Sequence, residues 1–267
     1  MSLTYLYCVL PGEAQLNADG VAGMEEQGPV KLLPAGSLQA AVSDVGDDFA
    51  EANLNARITD LDWLSPRAVR HHEVVDELFA RCKPLLPLTF GVIFRSQDSL
   101  RQRLAAQEAE LLAKLDQLRG HQEWNLRLIR DQAAFSAELR RHSPELAQAE
   151  KAIQAKPPGT RFLLEKKLEN LRTREAKRLA AAVRTDVHAT LSALAVDAQR
   201  DDLATSALPQ DVRLELRSAY LVAEPASEQL AEVARELASK YAGLGYELEL
   251  TGPWAPFTFA GTREVLG

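Results

Sequence analysis

A short segment carrying histidine and carboxylate side chains is the first place in this sequence where chemistry could occur. His72, Glu73 and Asp76 are one residue away from the helical zinc motif H-E-x-x-H. On a helix His72 and Asp76 share a face, as two zinc ligands must, and Glu73 could act as the base of a metal hydrolase. The second ligand is an aspartate, however, and no third ligand is evident. A solvated helix face is the favoured interpretation, and no metal site is predicted.

Other catalytic and cofactor-binding motifs are missing from the sequence. There is no G-x-S-x-G elbow, no P-loop and no G-x-G-x-x-G. Gly243 and Gly245 lie between a predicted helix and a predicted strand, the reverse of the order that a phosphate loop needs. Cys82 has no basic or histidine partner that the sequence can place, so a buried, inert thiol is expected. No catalytic residue, no cofactor-binding residue and no enzyme activity are predicted.

A basic run lies between positions 161 and 184. It contains eight Lys and Arg residues against three Glu residues, a surplus of five positive charges in a chain whose net charge is −7. A solvated helix face with pairs between neighbouring turns is the favoured interpretation. The alternative is a docking face for an acidic partner, including another copy of this chain. Self-association therefore stays open at this point.

The segment GPWAPFTF at 252–259 concentrates aromatic residues near the C-terminus. Its two prolines fix an extended backbone, and Trp254, Phe257 and Phe259 supply a large apolar area. We expect this segment to fold back and seal the core of the second domain. The alternative is an exposed aromatic patch that binds a partner, which makes these three residues the candidate partner-binding residues.

The composition is that of an acidic globular protein. The 267 residues are 46% hydrophobic and 26% charged, with a net charge of −7 and a pI of about 5.4. An acidic chain argues against nucleic acid as the main partner. No apolar run approaches the roughly 20 residues that cross a bilayer, so no membrane partner is expected. The two lone thiols, Cys8 and Cys82, fit a reducing cytosol, and we expect a cytoplasmic location.

The apolar pattern of the first half predicts the order β-ββ-α-β-α. An alternating run closed by Pro11 and Gly12 is typical of a strand and turn, and the nearly continuous apolar run at 85–94 is typical of a buried central strand. Ser65 followed by Pro66 predicts the start of a helix. The predicted elements are strands 4–10, 31–33, 38–45 and 85–94, and helices 66–82 and 96–118.

The second half predicts a helical hairpin within another β-rich layer. The segment Pro157-Pro158-Gly159 separates two helical stretches, 131–156, with a fresh start at Ser143-Pro144, and 160–196. We expect them to pack antiparallel as a coiled-coil-like hairpin spanning 131–196. Strands at 123–129, 213–222 and 246–251 and a helix at 227–241 complete this half. The sequence thus predicts an α+β protein of two ferredoxin-like α/β domains. The first comprises residues 1–120, and the second comprises 121–267 with an aromatic C-terminal tail at 252–260.

Five segments, in this order along nearly the whole chain, resemble the gas vesicle protein F/L family. They are YLYCVL at 5–10, LDWL at 61–64 with RAVRHHEVV at 67–75, LPLTFGVIF at 86–94, EW at 123–124 and GPWAPFTF at 252–259. The family pattern often has Pro where Ala255 stands, Tyr where Phe257 stands and a basic residue where Thr89 stands. No role for a phenolic hydroxyl at 257 or for a charge at 89 therefore carries over.

The resemblance implies two α+β domains with a helical, coiled-coil-like portion, and no catalytic residues. It implies a cytosolic accessory role in building gas vesicles, whose shells consist of a small, very apolar protein. The expected partners are that shell protein and other gas vesicle accessory proteins, bound early in assembly in a chaperone or nucleation role. The alternatives are a minor structural component of the mature vesicle and, by fold analogy alone, a small-molecule sensor.

Overall fold

A computed structural model describes residues 3–25, 28–57, 59–201, 209 and 211–262 of the chain. The fold is mixed α+β with antiparallel sheets, as the sequence predicts at this level. The chain divides into two compact units. The N-terminal unit combines Met1–Glu123 with Pro253–Gly267, and the C-terminal unit is Trp124–Gly252. None of the helices in the described ranges has the length and apolar character that a membrane crossing requires.

The N-terminal unit is built around one sheet. Its elements are β1 (Leu3–Pro11), β2 (Lys31–Ala35), β3 (Leu38–Val45), α1 (Glu51–Arg57), α2 (Leu61–Arg81), β4 (Leu86–Pro87), β5 (Ile93–Phe94), α3 (Gln97–Ala106) and α4 (Glu108–Leu118). The strand order is β2-β3-β1-β4, and β5 also pairs with β1. Every residue of β1 after Leu3 is buried, which explains its apolar sequence. The central strand is therefore β1.

The predicted central strand at 85–94 is wrong in its extent. The structure has two strands of two residues there, β4 and β5, and both pair with β1. Pro87 lacks a backbone N–H and Gly91 takes a positive φ of 91°, so the backbone turns away from the sheet between them. The apolar run marks burial correctly, since Leu85, Leu86 and Leu88 are all fully buried.

Helix α2 begins five residues earlier than Pro66 predicts. Asp60 is its N-cap, and the Asp60 carboxylate accepts hydrogen bonds from the backbone N–H groups of Asp62 and Trp63. Pro66 consequently lies inside the helix. The buried face of α2 carries Trp63, His71, Val74, Val75, Leu78 and Phe79, which pack on the sheet core.

The C-terminal unit packs helices on a second sheet. Its elements are β6 (His121–Asp131), α5 (Gln132–Leu139), α6 (Pro144–Gln154), α7 (Pro158–Ser192), β7 (Asp197–Arg200), β8 (Val212–Ala223), α8 (Ser227–Ala242) and β9 (Tyr246–Trp254). The first three residues of β6 and the last two of β9 belong to the N-terminal unit. The strand order is β7-β8-β6-β9. Strand β7 was not predicted, because its four residues are mostly exposed and carry no apolar alternation.

The predicted hairpin at 131–196 contains three helices in place of two. The first arm breaks after Leu139, and Ser143 then caps α6 with Pro144 in its first turn. Helix α7 begins at Pro158 with Pro157 as its N-cap, so Gly159 lies in the helix and not in a turn before it. Proline is tolerated in the first turn because the N–H groups there have no helical partner.

The C-terminal tail differs from the prediction in its location. Residues 121–267 were expected to form one domain, with the tail at 252–260 sealing that domain's core. The structure places Pro253–Gly267 with the N-terminal unit, and fully buried Ala255 belongs to that unit's hydrophobic core. The contacts responsible come from residues far away in the sequence.

Candidate functional site

The aromatic tail (residues 252–260) packs on the exposed side of α2. The Phe257 and His72 ring centroids lie 4.5 Å apart with the planes tilted by 54°. The Ala255 N–H donates to Asp76 Oδ1 at 3.4 Å, and burial raises the pKa of that carboxyl. The tail thus contacts the helix face that carries His72 and Asp76.

A buried carboxylate fixes the middle of the tail. Glu123 is almost fully buried and accepts the backbone N–H of Thr258 at Oε2 (2.8 Å) and the Thr258 hydroxyl at Oε1 (2.9 Å). Hydrogen bonds to a charged acceptor are stronger than neutral ones, so this two-point contact is the main polar anchor of the tail. Glu123 was known from the sequence only as the start of a strand, and nothing local marks it as a partner of residue 258.

The three candidate partner-binding residues differ in exposure. Trp254 is 38% exposed, whereas Phe257 and Phe259 are half-buried. Phe257 also packs on the N-terminal core. The centre of the tail is thus part of the N-terminal core, and Trp254 offers an aromatic surface to solvent.

The residues of the near-zinc motif are engaged in other contacts. Glu73 forms an ion pair with Arg70 at 3.1 Å, Asp76 accepts the Ala255 N–H, and His72 packs on Phe257. In the described part of the chain, no three His, Cys, Asp or Glu side chains are grouped so that they could hold a metal ion. This arrangement favours a structural role for the segment.

His71, beside the candidate ligand His72, is the centre of a buried neutral network. Its Nε2 lies 2.8 Å from the Leu88 carbonyl oxygen, which can only accept, so Nε2 carries the proton. Its Nδ1 then accepts from the Tyr5 hydroxyl at 2.9 Å, and the Tyr5 oxygen accepts the Gly91 N–H at 3.1 Å. Burial lowers the pKa of His71 to about 4 and raises that of Tyr5. Both groups are neutral at pH 7 and brace the loop between β4 and β5.

The surroundings of the two thiols do not activate them. Cys8 is fully buried in β1, and burial raises the pKa of its thiol. Cys82 is partly buried at the end of α2, and burial raises its pKa as well. Since the thiolate is the reactive form, neither environment activates a nucleophile.

Several arginines of the basic run at 161–184 form ion pairs within the C-terminal unit. Arg172 bonds to Glu150 at 2.8 Å and Arg174 to Glu145 at 2.5 Å, and both glutamates lie on α6. These contacts connect α7 with α6. Pairs along α7 itself are present as well, between Arg172 and Glu169 and between Arg178 and Glu175, as the favoured interpretation expected.

Glu175 is a polar residue between Leu171 and Leu179 in the apolar stripe of α7. Its buried carboxylate accepts the Ser143 hydroxyl at 2.8 Å and pairs with Arg178 at 2.8 Å. The Ser143 oxygen in turn accepts the Leu146 N–H as the cap of α6. The hydrogen bonds from Arg178 and Ser143 lower the pKa of Glu175. The polar gap in the sequence is therefore the point where α7 supports the start of α6.

The comparison with known families decides what kind of protein this is. The family model described as "Gas vesicle synthesis protein GvpL/GvpF" matches residues 3–261. The chain belongs to the GvpL/GvpF family. It is 31% identical to gas vesicle protein L of Streptomyces sp. (strain CB03234), covering 98% of this chain and 94% of that protein. It is 27% identical to gas vesicle protein L2 of Halobacterium salinarum, covering 96% and 90%.

Solved structures of GvpL/GvpF proteins share the fold. The crystal structure of GvpF from Microcystis aeruginosa matches with a TM-score of 0.64 at 17% identity, over 97% of this chain and 98% of that one. GvpF from Anabaena sp. PCC7120 matches with a TM-score of 0.66 at 17% identity, over 97% and 96%. The family resemblance drawn from the five segments is confirmed. As a GvpL/GvpF protein the chain is involved in gas vesicle formation, and its family is not a known enzyme family.

Proposed function

We propose that this chain is an accessory protein of gas vesicle assembly that binds the apolar shell protein, and other accessory proteins, during early assembly. The observation that supports this most is the GvpL/GvpF family match over residues 3–261. A shell subunit with large apolar faces would aggregate before it is incorporated. A folded acidic partner that covers such a face keeps it soluble, which is a chaperone or nucleation role in the cytoplasm.

The aromatic tail is the proposed contact surface. Trp254, Phe257 and Phe259 lie in one short segment whose backbone is anchored through Thr258 and Ala255. A rigid aromatic surface loses little conformational entropy on binding, and tryptophan is enriched among the residues that dominate interface energies. Trp254 is the most exposed of the three and therefore the first anchor to test. Pairing of a shell-protein segment with a sheet edge is the alternative mode.

Co-expression with the shell protein tests the proposal. Affinity capture followed by size-exclusion chromatography should show co-elution, with more soluble shell protein than in the absence of this chain. Trp254→Ser should weaken the association by about tenfold or more, as expected for an interface anchor. Phe162→Ser is the matched control, because Phe162 is a 75% exposed aromatic residue in the other unit. Shell protein that stays equally insoluble, with no co-elution, contradicts direct binding.

Stripping of purified vesicles separates the chaperone role from that of a minor structural component. A chaperone is removed by washing with a denaturant that leaves the shell intact, whereas a structural component remains attached. Retention of this chain on stripped vesicles would replace the chaperone role with the structural one and would place the protein at the gas vesicle.

We also infer a ferredoxin-like origin for both sheets. The support is that both have the same order, with the second strand of each unit at one edge, followed by the third, the first and the fourth. In the C-terminal unit α5, α6 and α7 occupy the place of the first crossover helix. A coiled-coil-like hairpin of α6 and α7 would be the elaboration of that crossover.

A further inference from the structure

A basic pocket lies within the C-terminal unit, where α5 and α7 face strands β6 and β8. Its volume is about 570 Å³. The lining contains four cationic side chains, Arg130, Lys177, Arg184 and Arg213, and one carboxylate, that of Glu215. Phe135 and small apolar residues of α7 form an apolar part of the wall, and the polar residues Gln132, Ser136 and Thr173 complete the lining. The volume falls in the range of small-molecule sites, and the lining combines apolar walls with a few polar groups, as such sites do.

The charges of the pocket do not balance. Glu215 is buried and pairs with Arg130 at 2.9 Å, with Arg184 at 2.5 Å and with Arg213 at 3.6 Å. One carboxylate thus serves three guanidinium groups. Lys177 is exposed and has no ion-pair partner among the residues that the structure describes. Four cations against one anion leave a surplus of three positive charges around one concave surface.

The buried guanidinium of Arg130 has one N–H group without a hydrogen-bond acceptor. The residue is only 7% exposed, and its guanidinium lies 4.2 Å from the centre of the Phe135 ring. One terminal nitrogen bonds to Glu215 at 2.9 Å and to Gln132 Oε1 at 3.4 Å, but the buried Nε–H has no hydrogen-bond partner in the described part of the chain. A buried donor without an acceptor costs about 1–3 kcal/mol, and such groups are rare unless a ligand or water completes them. The site therefore lacks an acceptor for the Arg130 Nε–H.

We propose that this pocket binds a phosphorylated small molecule. A phosphate or diphosphate group carries two or more negative charges and several acceptor oxygens, which matches the charge surplus and the unsatisfied Arg130 donor. A single carboxylate would neutralise only one of the three surplus charges. The pocket is also larger than a bare phosphate needs, so the apolar wall at Phe135 contacts the remainder of the molecule. This inference does not depend on shell-protein binding.

Isothermal titration of the full chain with inorganic pyrophosphate tests the proposal. Measurements at physiological ionic strength screen weak surface attraction. We expect binding of one pyrophosphate per chain and much weaker binding of acetate at matched ionic strength. The double variant Lys177→Gln/Arg213→Gln, which removes two cations from the pocket rim, should weaken pyrophosphate binding by about tenfold or more.

A second double variant controls for net charge. Lys167→Gln/Arg217→Gln removes the same charge from the same two elements, α7 and β8, outside the pocket, and Arg217 is 62% exposed against 64% for Arg213. This variant should bind pyrophosphate within about twofold of the parent chain. Three results would overturn the proposal. They are no binding by the parent chain, equal losses in the two double variants, or acetate binding as tight as that of pyrophosphate.

Discussion

The two units bury polar groups in different ways. In the N-terminal unit, apart from the Glu123 carboxylate that holds the tail, the buried polar network is a neutral chain of hydrogen bonds. It runs from the Gly91 N–H through Tyr5 and His71 to the Leu88 carbonyl. In the C-terminal unit it is a charged cluster, in which the Glu215 carboxylate is held by Arg130 and Arg184 beneath the sheet's helical layer. The Tyr5–His71 network depends on which atoms carry the protons, whereas the Glu215 cluster depends on contacts between opposite charges.

This difference predicts different sensitivities. A neutral network loses stability when a donor is removed or when a proton is added to it. A charged cluster loses most when one sign is removed, because the remaining buried ion has no counter-charge. Hydrogen exchange followed on peptides from each unit separates the two responses, since local stability is measured segment by segment.

Glu215→Gln should have the largest effect. It leaves Arg130 buried without a full counter-charge, and breaking a buried pair in this way costs about 3 kcal/mol or more. We expect faster hydrogen exchange in β6 and β8 and little change in β1. Glu247→Gln is the control, because Glu247 is an exposed glutamate of the same sheet. Equal protection of β8 in both variants would show that the cluster contributes no stability.

Acid should destabilise the N-terminal unit through His71. The imidazole has a pKa of about 4 in the folded chain and about 6.5 when unfolded, so between these values the unfolded state binds more protons. Stability therefore falls as pH drops from 6.5 to 4, by up to about 3 kcal/mol, and this contribution is constant outside that window. Hydrogen exchange of α2 and β1 measures the change. His71→Gln, which cannot titrate, should flatten this part of the pH profile, and an unchanged profile would exclude His71 as its source.

The sequence predicts elements better than it predicts contacts between distant residues. The apolar run of β1, the capping pair Ser143-Pro144 and the terminal strand follow local rules, and the structure has them in place. The predicted start of helix α2 was wrong because the signal of Ser65 and Pro66 competes with the N-cap Asp60, which has no proline after it. The free-energy difference between two alternative helix starts is small, so local sequence rules do not separate them well.

The location of the tail could not be predicted for a different reason. It depends on Glu123 and Asp76, which are 135 and 179 residues away from their partners Thr258 and Ala255. No periodicity in a single sequence encodes such pairings. The basic pocket could not be predicted from the sequence for the same reason. The sequence showed Lys177 and Arg184 as part of a charged helix, but Arg130 and Arg213 come from separate strands.

Removal of one phenolic hydroxyl in each unit compares the two units directly, and the expected effect on stability is of intermediate size. Tyr5→Phe leaves the Gly91 N–H and His71 Nδ1 without their partner, at a cost of about 1–3 kcal/mol. Tyr246→Phe removes a buried hydroxyl that has no hydrogen-bond partner in the described residues, and should change stability by less than about 0.5 kcal/mol or increase it. Urea denaturation measures the free energy of unfolding of both variants. Equal losses would mean that the Tyr5 network contributes no more than an isolated hydroxyl.

The pairs between α6 and α7 should show the smallest effect. Arg172→Gln removes contacts to Glu150 at 2.8 Å and Glu169 at 3.6 Å, but Arg172 is largely exposed and water screens these charges. We expect a loss below about 1 kcal/mol that disappears in high salt, in contrast to the salt-insensitive loss in Glu215→Gln. Lys167→Gln is the control on the same helix. A loss of stability as large as that of Glu215→Gln would mean that the surface pairs stabilise the C-terminal unit as much as the buried cluster does.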